Sequence, residues 1–117
     1  MGQKYLLDTN VIIDFTANLL PLKAKQKISN IIDEEFIISV VNKIELLGYN
    51  DMSDKMKHLE TFLDLSLVMP LDETVSDKTI QLRRINKKLK LGDAIIAATS
   101  LASTLFLSPA TQRILLI

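Results

Sequence analysis

Four short apolar runs, set apart by helix-length segments, restrict the fold of this chain more than any other feature. Tyr5-Leu6-Leu7, Phe36-Ile37-Ile38-Ser39, Leu67-Val68-Met69-Pro70 and Leu105-Phe106-Leu107 each have the length and apolar continuity of a buried strand. Between the first two, Ala24, Ile28, Ile31 and Ile32 recur at helical spacing, with Lys23, Lys25, Gln26 and Lys27 outside. A helix between two short apolar strands is a βαβ unit, and its strands pair in parallel. The same alternation continues. Val41, Ile44 and Leu46 or Leu47 mark a helix after the second strand, and Met56, Leu59, Phe62 and Leu63 give the next one its buried face. Val75, Thr79, Leu82, Ile85 and Leu89 mark a further amphipathic helix, and Ala94 to Ala98 is apolar all round, as in a buried helix.

The 117 residues suffice for one domain with a single core. The chain has no Cys and one His, His58, which falls on the outer side of its helix. A disulfide framework, a thiolate metal site and a His-based zinc site or triad are thereby excluded. Met1-Gly2-Gln3-Lys4 leads straight into the first strand without a signal-peptide pattern, and no apolar run approaches the roughly 20 residues of a membrane span. The expectation is a soluble protein of the cytoplasm. Fourteen basic and fourteen acidic residues balance, so a nucleic-acid signal must be local.

Three acids stand out by their setting. Asp8 follows the first strand directly, where the chain turns toward a helix. In open parallel sheets, ligands bind beyond the carboxyl ends of the strands. An Asp here is either a helix cap or a site residue. Glu45 lies between Ile44 and Leu46, about one turn beyond the second strand, and reads equally as a solvent-facing residue or as a carboxylate aimed at the crevice. Asp93 opens the buried helix of Leu91-Gly92-Asp93-Ala94-Ile95-Ile96-Ala97-Ala98, again as a first-turn acid or as a group carried to the interior. Just before it, Arg83, Arg84, Lys87, Lys88 and Lys90 crowd the C-terminal half of the preceding helix. They oppose the macrodipole of that helix or form a phosphate-binding patch beside the site.

With no Cys and no useful His, the candidate reactive groups are carboxylates. Ionised carboxylates sharing a pocket raise each other's pKa values through repulsion and desolvation, and a divalent cation relieves this. Oxygen-only ligands suit Mg²⁺ or Mn²⁺. A carboxylate-bound Mg²⁺ activates water and neutralises phosphate charge, so metal-dependent phosphodiester hydrolysis is the natural reaction class.

Leu7-Asp8-Thr9-Asn10-Val11-Ile12-Ile13-Asp14, then Ile44-Glu45-Leu46, then Leu91 to Ala98 resemble the successive motifs of the PIN-domain family, closest to the VapC-type toxins of toxin–antitoxin pairs. The resemblance implies a three-layer α/β/α sandwich around a parallel sheet, as a single PIN-like domain over residues 1–117. It also implies Mg²⁺- or Mn²⁺-dependent ribonuclease activity, dimerisation and inhibition by a small cognate antitoxin. By position, Asp8, Glu45 and Asp93 match the metal-binding acids of the family, and Thr9 and Asn10 match the polar pair supporting the first acid.

The chain departs from the pattern at its C-terminal end, which reads as atypical or truncated. The family usually follows its last strand with Thr and then further acids. Here Ser108 replaces the Thr, and no Asp or Glu follows Asp93. Two other readings follow from the residues. One is a weak or inactive PIN domain that serves as an antitoxin- or RNA-binding module. The other is a receiver-like domain with Asp72, after the third strand, as phospho-acceptor.

Overall fold

The computed structural model describes residues 4–48, 54–103 and 106–107. Four strands, β1 (Tyr5–Leu6), β2 (Ile37–Ser39), β3 (Leu67–Met69) and β4 (Phe106–Leu107), form one parallel sheet in the order β3-β2-β1-β4. Leu6 pairs with Ile37 on one side and Leu107 on the other, and Ile38 pairs with Val68. The connections run outward from β1 to β2 and β3, then return to β4 on the far side of β1. The strand order therefore reverses beside the end of β1, and in sheets of this kind the crevice opens at such a reversal.

Alternation along the strands sorts their side chains onto two faces. Tyr5, Leu7, Phe36, Ile38 and Val68 face a core built with α1 (Thr9–Thr16), α2 (Leu22–Glu34), α3 (Val40–Leu47) and α4 (Asp54–Leu63). Val11, Ile12, Ile28, Ile31, Leu46 and Leu63 are their buried contributions. Leu6 and Ile37 face the other way, against Ile96 and Ala97 of α6 (Leu91–Ala102), with Leu82 of α5 (Glu73–Ile85) at the edge. The result is the expected α/β/α sandwich. Leu6, Leu7, Ile37 and Ile38 are at most 2% exposed. Burying a side chain of this size contributes about 2 kcal/mol, so strands of two or three residues hold through their faces rather than their length.

Helix α3 is where the two helical layers meet. Its Leu46 belongs to the core under α1 and α2, while its Val41 packs beside Val75, Ile95 and Ala98 of α5 and α6. The expected apolar stripe on this helix is corrected in one respect. Ile44 is 64% exposed, and the inward face carries Asn42 and Leu46. The charged helix after β3 is also shorter than its periodicity suggested. It ends at Ile85, with Asn86 extended at φ −126°, ψ 97°. The Asn86 side chain accepts the Lys88 backbone N–H at 3.1 Å, a local bond that competes with continued helix. Leu89 is buried in the connection rather than on the helix, Ile85 is 83% exposed, and Lys87, Lys88 and Lys90 lie beyond the helix end.

Candidate metal centre at the carboxyl rim of the sheet

Asp8 occupies the N-cap position of α1, yet its side chain makes no capping hydrogen bond. It is only 4% exposed. Asp72, at the equivalent point before α5, behaves differently. Its Oδ1 accepts the Val75 N–H at 2.9 Å, so it is a true helix cap. This role accounts for Asp72 without the phospho-acceptor reading. The capping explanation therefore holds for one of these two acids and not for Asp8.

Glu45 stands on the exposed side of α3, and two other elements reach it. The Thr9 hydroxyl at the start of α1 donates to Glu45 Oε1 at 2.9 Å. On the other side, a Cβ at Gly92 would lie 3.5 Å from Glu45 Oε2, so the carboxylate rests against the first turn of α6. Thr9 is the neighbour of Asp8 in sequence, and Gly92 is the neighbour of Asp93. Glu45 thus bridges the two segments that carry the other acids. Asp93 is half-buried in the first turn of α6, whose N-cap residue, Lys90, provides no side-chain cap. The positive end of the helix dipole favours carboxylates placed there.

A buried polar system supports Glu45 from behind. Ser39 ends β2 and caps α3, its Oγ accepting the Val41 N–H at 3.1 Å. Asn42 Oδ1 accepts the Ser39 N–H at 2.7 Å, and Asn42 Nδ2 donates to Thr9 Oγ1 at 3.0 Å. Ser39 and Asn42 are 1% and 0% exposed. Neither was among the residues expected for the site. The available signal was the spacing Ser39-Val40-Val41-Asn42, a variant of the Ser-x-x-Glu/Gln capping box. Of the expected supporting residues, Thr9 makes the contact to Glu45, Asn10 lies on the exposed face of α1, and Ser108 falls outside the described residues.

Among the described residues, no three His, Cys, Asp or Glu side chains stand close enough together to form a ready-made metal cage. The donor chemistry nevertheless fits a hard divalent cation. The candidate ligands, the carboxylates of Asp8, Glu45 and Asp93 and the Thr9 hydroxyl, are all oxygen donors, the type that a hard divalent cation takes. Mg²⁺ keeps several of its waters and takes one or two protein carboxylates, so it does not require a closed cage. No Lys or Arg pairs with Glu45 or Asp93 among the described residues.

Arg83 and Arg84 end α5, and Lys87, Lys88 and Lys90 line the connection into α6. All five are exposed, and none pairs with an acid among the described residues. The connection is tied down by the Asn86 turn and by buried Leu89, which leaves the lysines facing solvent just before the helix that carries Asp93.

The family model of the PIN domain matches residues 5–105. The chain belongs to the PIN-domain family. Among solved structures it is similar to a toxin–antitoxin complex from Klebsiella pneumoniae, at TM-score 0.72 and 25% identity over 89% of this chain and 83% of that one. VapBC2 from Rickettsia felis, bound to a DNA fragment from its promoter, gives TM-score 0.74 at 17% identity, covering 90% and 85%. FitAcB from Neisseria gonorrhoeae gives TM-score 0.70 at 24% identity, covering 97% and 94%. No curated protein matches the chain by sequence. Among the described residues of this PIN domain, no helix is long and apolar enough to cross a membrane.

Proposed function

We propose that this PIN domain is a VapC-type toxin, a Mg²⁺- or Mn²⁺-dependent endoribonuclease held in check by a small cognate antitoxin. The observation that carries this reading is the double contact of Glu45, with Thr9 on one side and Gly92 on the other. It draws together the three chain segments that bear Asp8, Glu45 and Asp93. The toxin–antitoxin character of the structural neighbours supports the partner. We take the chain as a single domain over residues 1–117, acting in the cytoplasm as a homodimer.

In this reading Asp8, Glu45 and Asp93 hold the cation. When bound, the ion supplies an activated water and offsets charge on the scissile phosphate. The protein's own part is positioning. Thr9 fixes Oε1 of Glu45 and leaves Oε2 without a side-chain donor among the described residues, with both oxygens against the first turn of α6. Apolar packing of Ile95, Ile96 and Ala97 anchors the helix that carries Asp93. Arg83, Arg84, Lys87, Lys88 and Lys90 attract the phosphate backbone without reading its sequence.

The test is cleavage of single-stranded RNA with Mn²⁺, comparing the unaltered chain with Asp8→Asn and Asp93→Asn. Metal-dependent cleavage lost in both variants supports the reading. Antitoxin binding without cleavage would instead favour an inactive PIN domain acting as a binding module, the reading that the absence of acids after Asp93 favours.

A further inference from the structure

We propose that Asn42 is a positioning residue for Glu45, acting by fixing the direction in which the Thr9 hydroxyl gives its proton. The proposal deepens the metal-site reading and rests on it for its consequence, but its geometry stands apart from any bound ion. Asn42 is 0% exposed, and its amide lies between the Ser39 backbone and the Thr9 hydroxyl. Its orientation is set by what it meets. Oδ1 accepts the Ser39 backbone N–H at 2.7 Å, and a flipped amide would turn an NH₂ group against that N–H. The NH₂ end therefore faces Thr9, where it donates to Oγ1 at 3.0 Å.

A hydroxyl has one proton to give. With the Asn42 donor on its oxygen, Thr9 cannot return its proton to Asn42. The proton goes outward, to Glu45 Oε1 at 2.9 Å. From Ser39 N–H through Asn42 and Thr9 to Glu45, every donor points the same way, from the end of β2 into the crevice. Such aligned chains strengthen their members. Asn42 and Glu45 share α3, three residues apart, whereas Thr9 belongs to α1. The route through Thr9 therefore ties a long, exposed side chain to a second element, and Asn42 decides that the tie is made. Residues that orient metal-binding groups from behind typically change metal affinity by about 10–100-fold when altered.

The experiment uses the full chain and two readouts. The first is the side-chain rotamer distribution of Glu45 in metal-free protein, measured by NMR couplings, with the amide spectrum reporting the fold. The second is Mn²⁺ affinity. Thr9→Val, which swaps the hydroxyl for a methyl, should leave Glu45 averaging over rotamers and weaken Mn²⁺ about tenfold. Thr9→Ser should restore both. Asn42→Asp keeps the acceptor for Ser39 and turns the donor into a second acceptor, which then takes the Thr9 proton. It should release Glu45 and weaken Mn²⁺, although its added negative charge alone would strengthen cation binding. A single Glu45 rotamer persisting in Thr9→Val, or in folded Asn42→Asp, overturns the proposal. If Asn42→Asp does not fold, the unaltered protein decides. Nuclear Overhauser contacts should set the Asn42 NH₂ protons against Thr9, and finding them against the Ser39 N–H overturns the proposal. Absence of Mn²⁺ binding by the unaltered chain removes the metal-site reading and leaves the rotamer result standing.

Discussion

At the scale of single residues, Asp8 and Asp72 show that the same side chain before a helix can serve different ends. Asp72 spends its carboxylate on the Val75 N–H. Asp72→Ala should cost about 1 kcal/mol, a fall of roughly 5 °C in melting temperature, with Mn²⁺ affinity unchanged. Thermal melts with and without Mn²⁺ check both halves, and a lost metal response would tie Asp72 to the site. Asp8 makes no such cap. At a Mn²⁺ concentration of about 100 times its dissociation constant, mass action should stabilise the unaltered protein by about 2.7 kcal/mol, a rise of roughly 10 °C or more. Asp8→Asn should lose most of that rise. Equal responses in the two proteins would show that Asp8 holds no metal. The sequence made the acids themselves visible, because each interrupts an apolar run. It did not reveal Asn42, since an Asn inside a helical stripe looks like a surface residue until Ser39 and Thr9 are seen to satisfy it.

At the scale of elements, the strands and buried helices were legible because their signal is local. A run such as Phe36-Ile37-Ile38 can only be covered on both faces, and Ala94 to Ala98 can only be buried all round. Helix ends were less legible. Asn86 stops α5 with one side-chain bond, and periodicity cannot register that. The consequence is that Lys87 and Lys88 are presented by a fixed turn rather than by a helix face. Replacing Arg84, Lys87 and Lys88 together with Ala should weaken binding of single-stranded RNA and flatten its logarithmic salt dependence by about 2 units, roughly 0.7 for each phosphate no longer neutralised. Binding isotherms at several salt concentrations measure the slope, and an unchanged slope would make the cluster a solvated helix end. The first turn of α6 offers a gentler probe. A methyl at Gly92 would meet the Glu45 carboxylate at 3.5–3.6 Å, an ordinary contact. Gly92→Ala should therefore fold and gain about 0.5 kcal/mol from reduced unfolded-state freedom. A lower melting temperature would mean that Glu45 cannot tolerate the methyl beside it.

At the scale of the whole molecule, charge at the rim limits the number of ions. In the proposed site Asp8 before α1, Glu45 on α3 and Asp93 on α6 supply one carboxylate each, and the sequence has no Asp or Glu after Asp93. Three carboxylates with water completing the shell suffice for one hexacoordinate cation. A second ion about 3.5–4 Å away would bring two more positive charges with no further acid to meet them. This chain should accordingly bind one Mn²⁺ tightly and cleave RNA slowly. The stoichiometry is measurable by calorimetry and by the electron paramagnetic resonance signal of free Mn²⁺. Adding an acid beyond the last strand, as Ala110→Asp or Arg113→Asp, should raise Mn²⁺ occupancy. It should also speed cleavage about tenfold, equivalent to ~1.4 kcal/mol at the transition state. The comparison must be made beside Asp8→Asn, so that contaminating nuclease is not scored as activity. If the unaltered chain already cleaves RNA at a rate that neither addition improves, and Asp8→Asn abolishes that cleavage, three acids are enough. The second ion, if one is used, would then be carried in by the RNA phosphate itself.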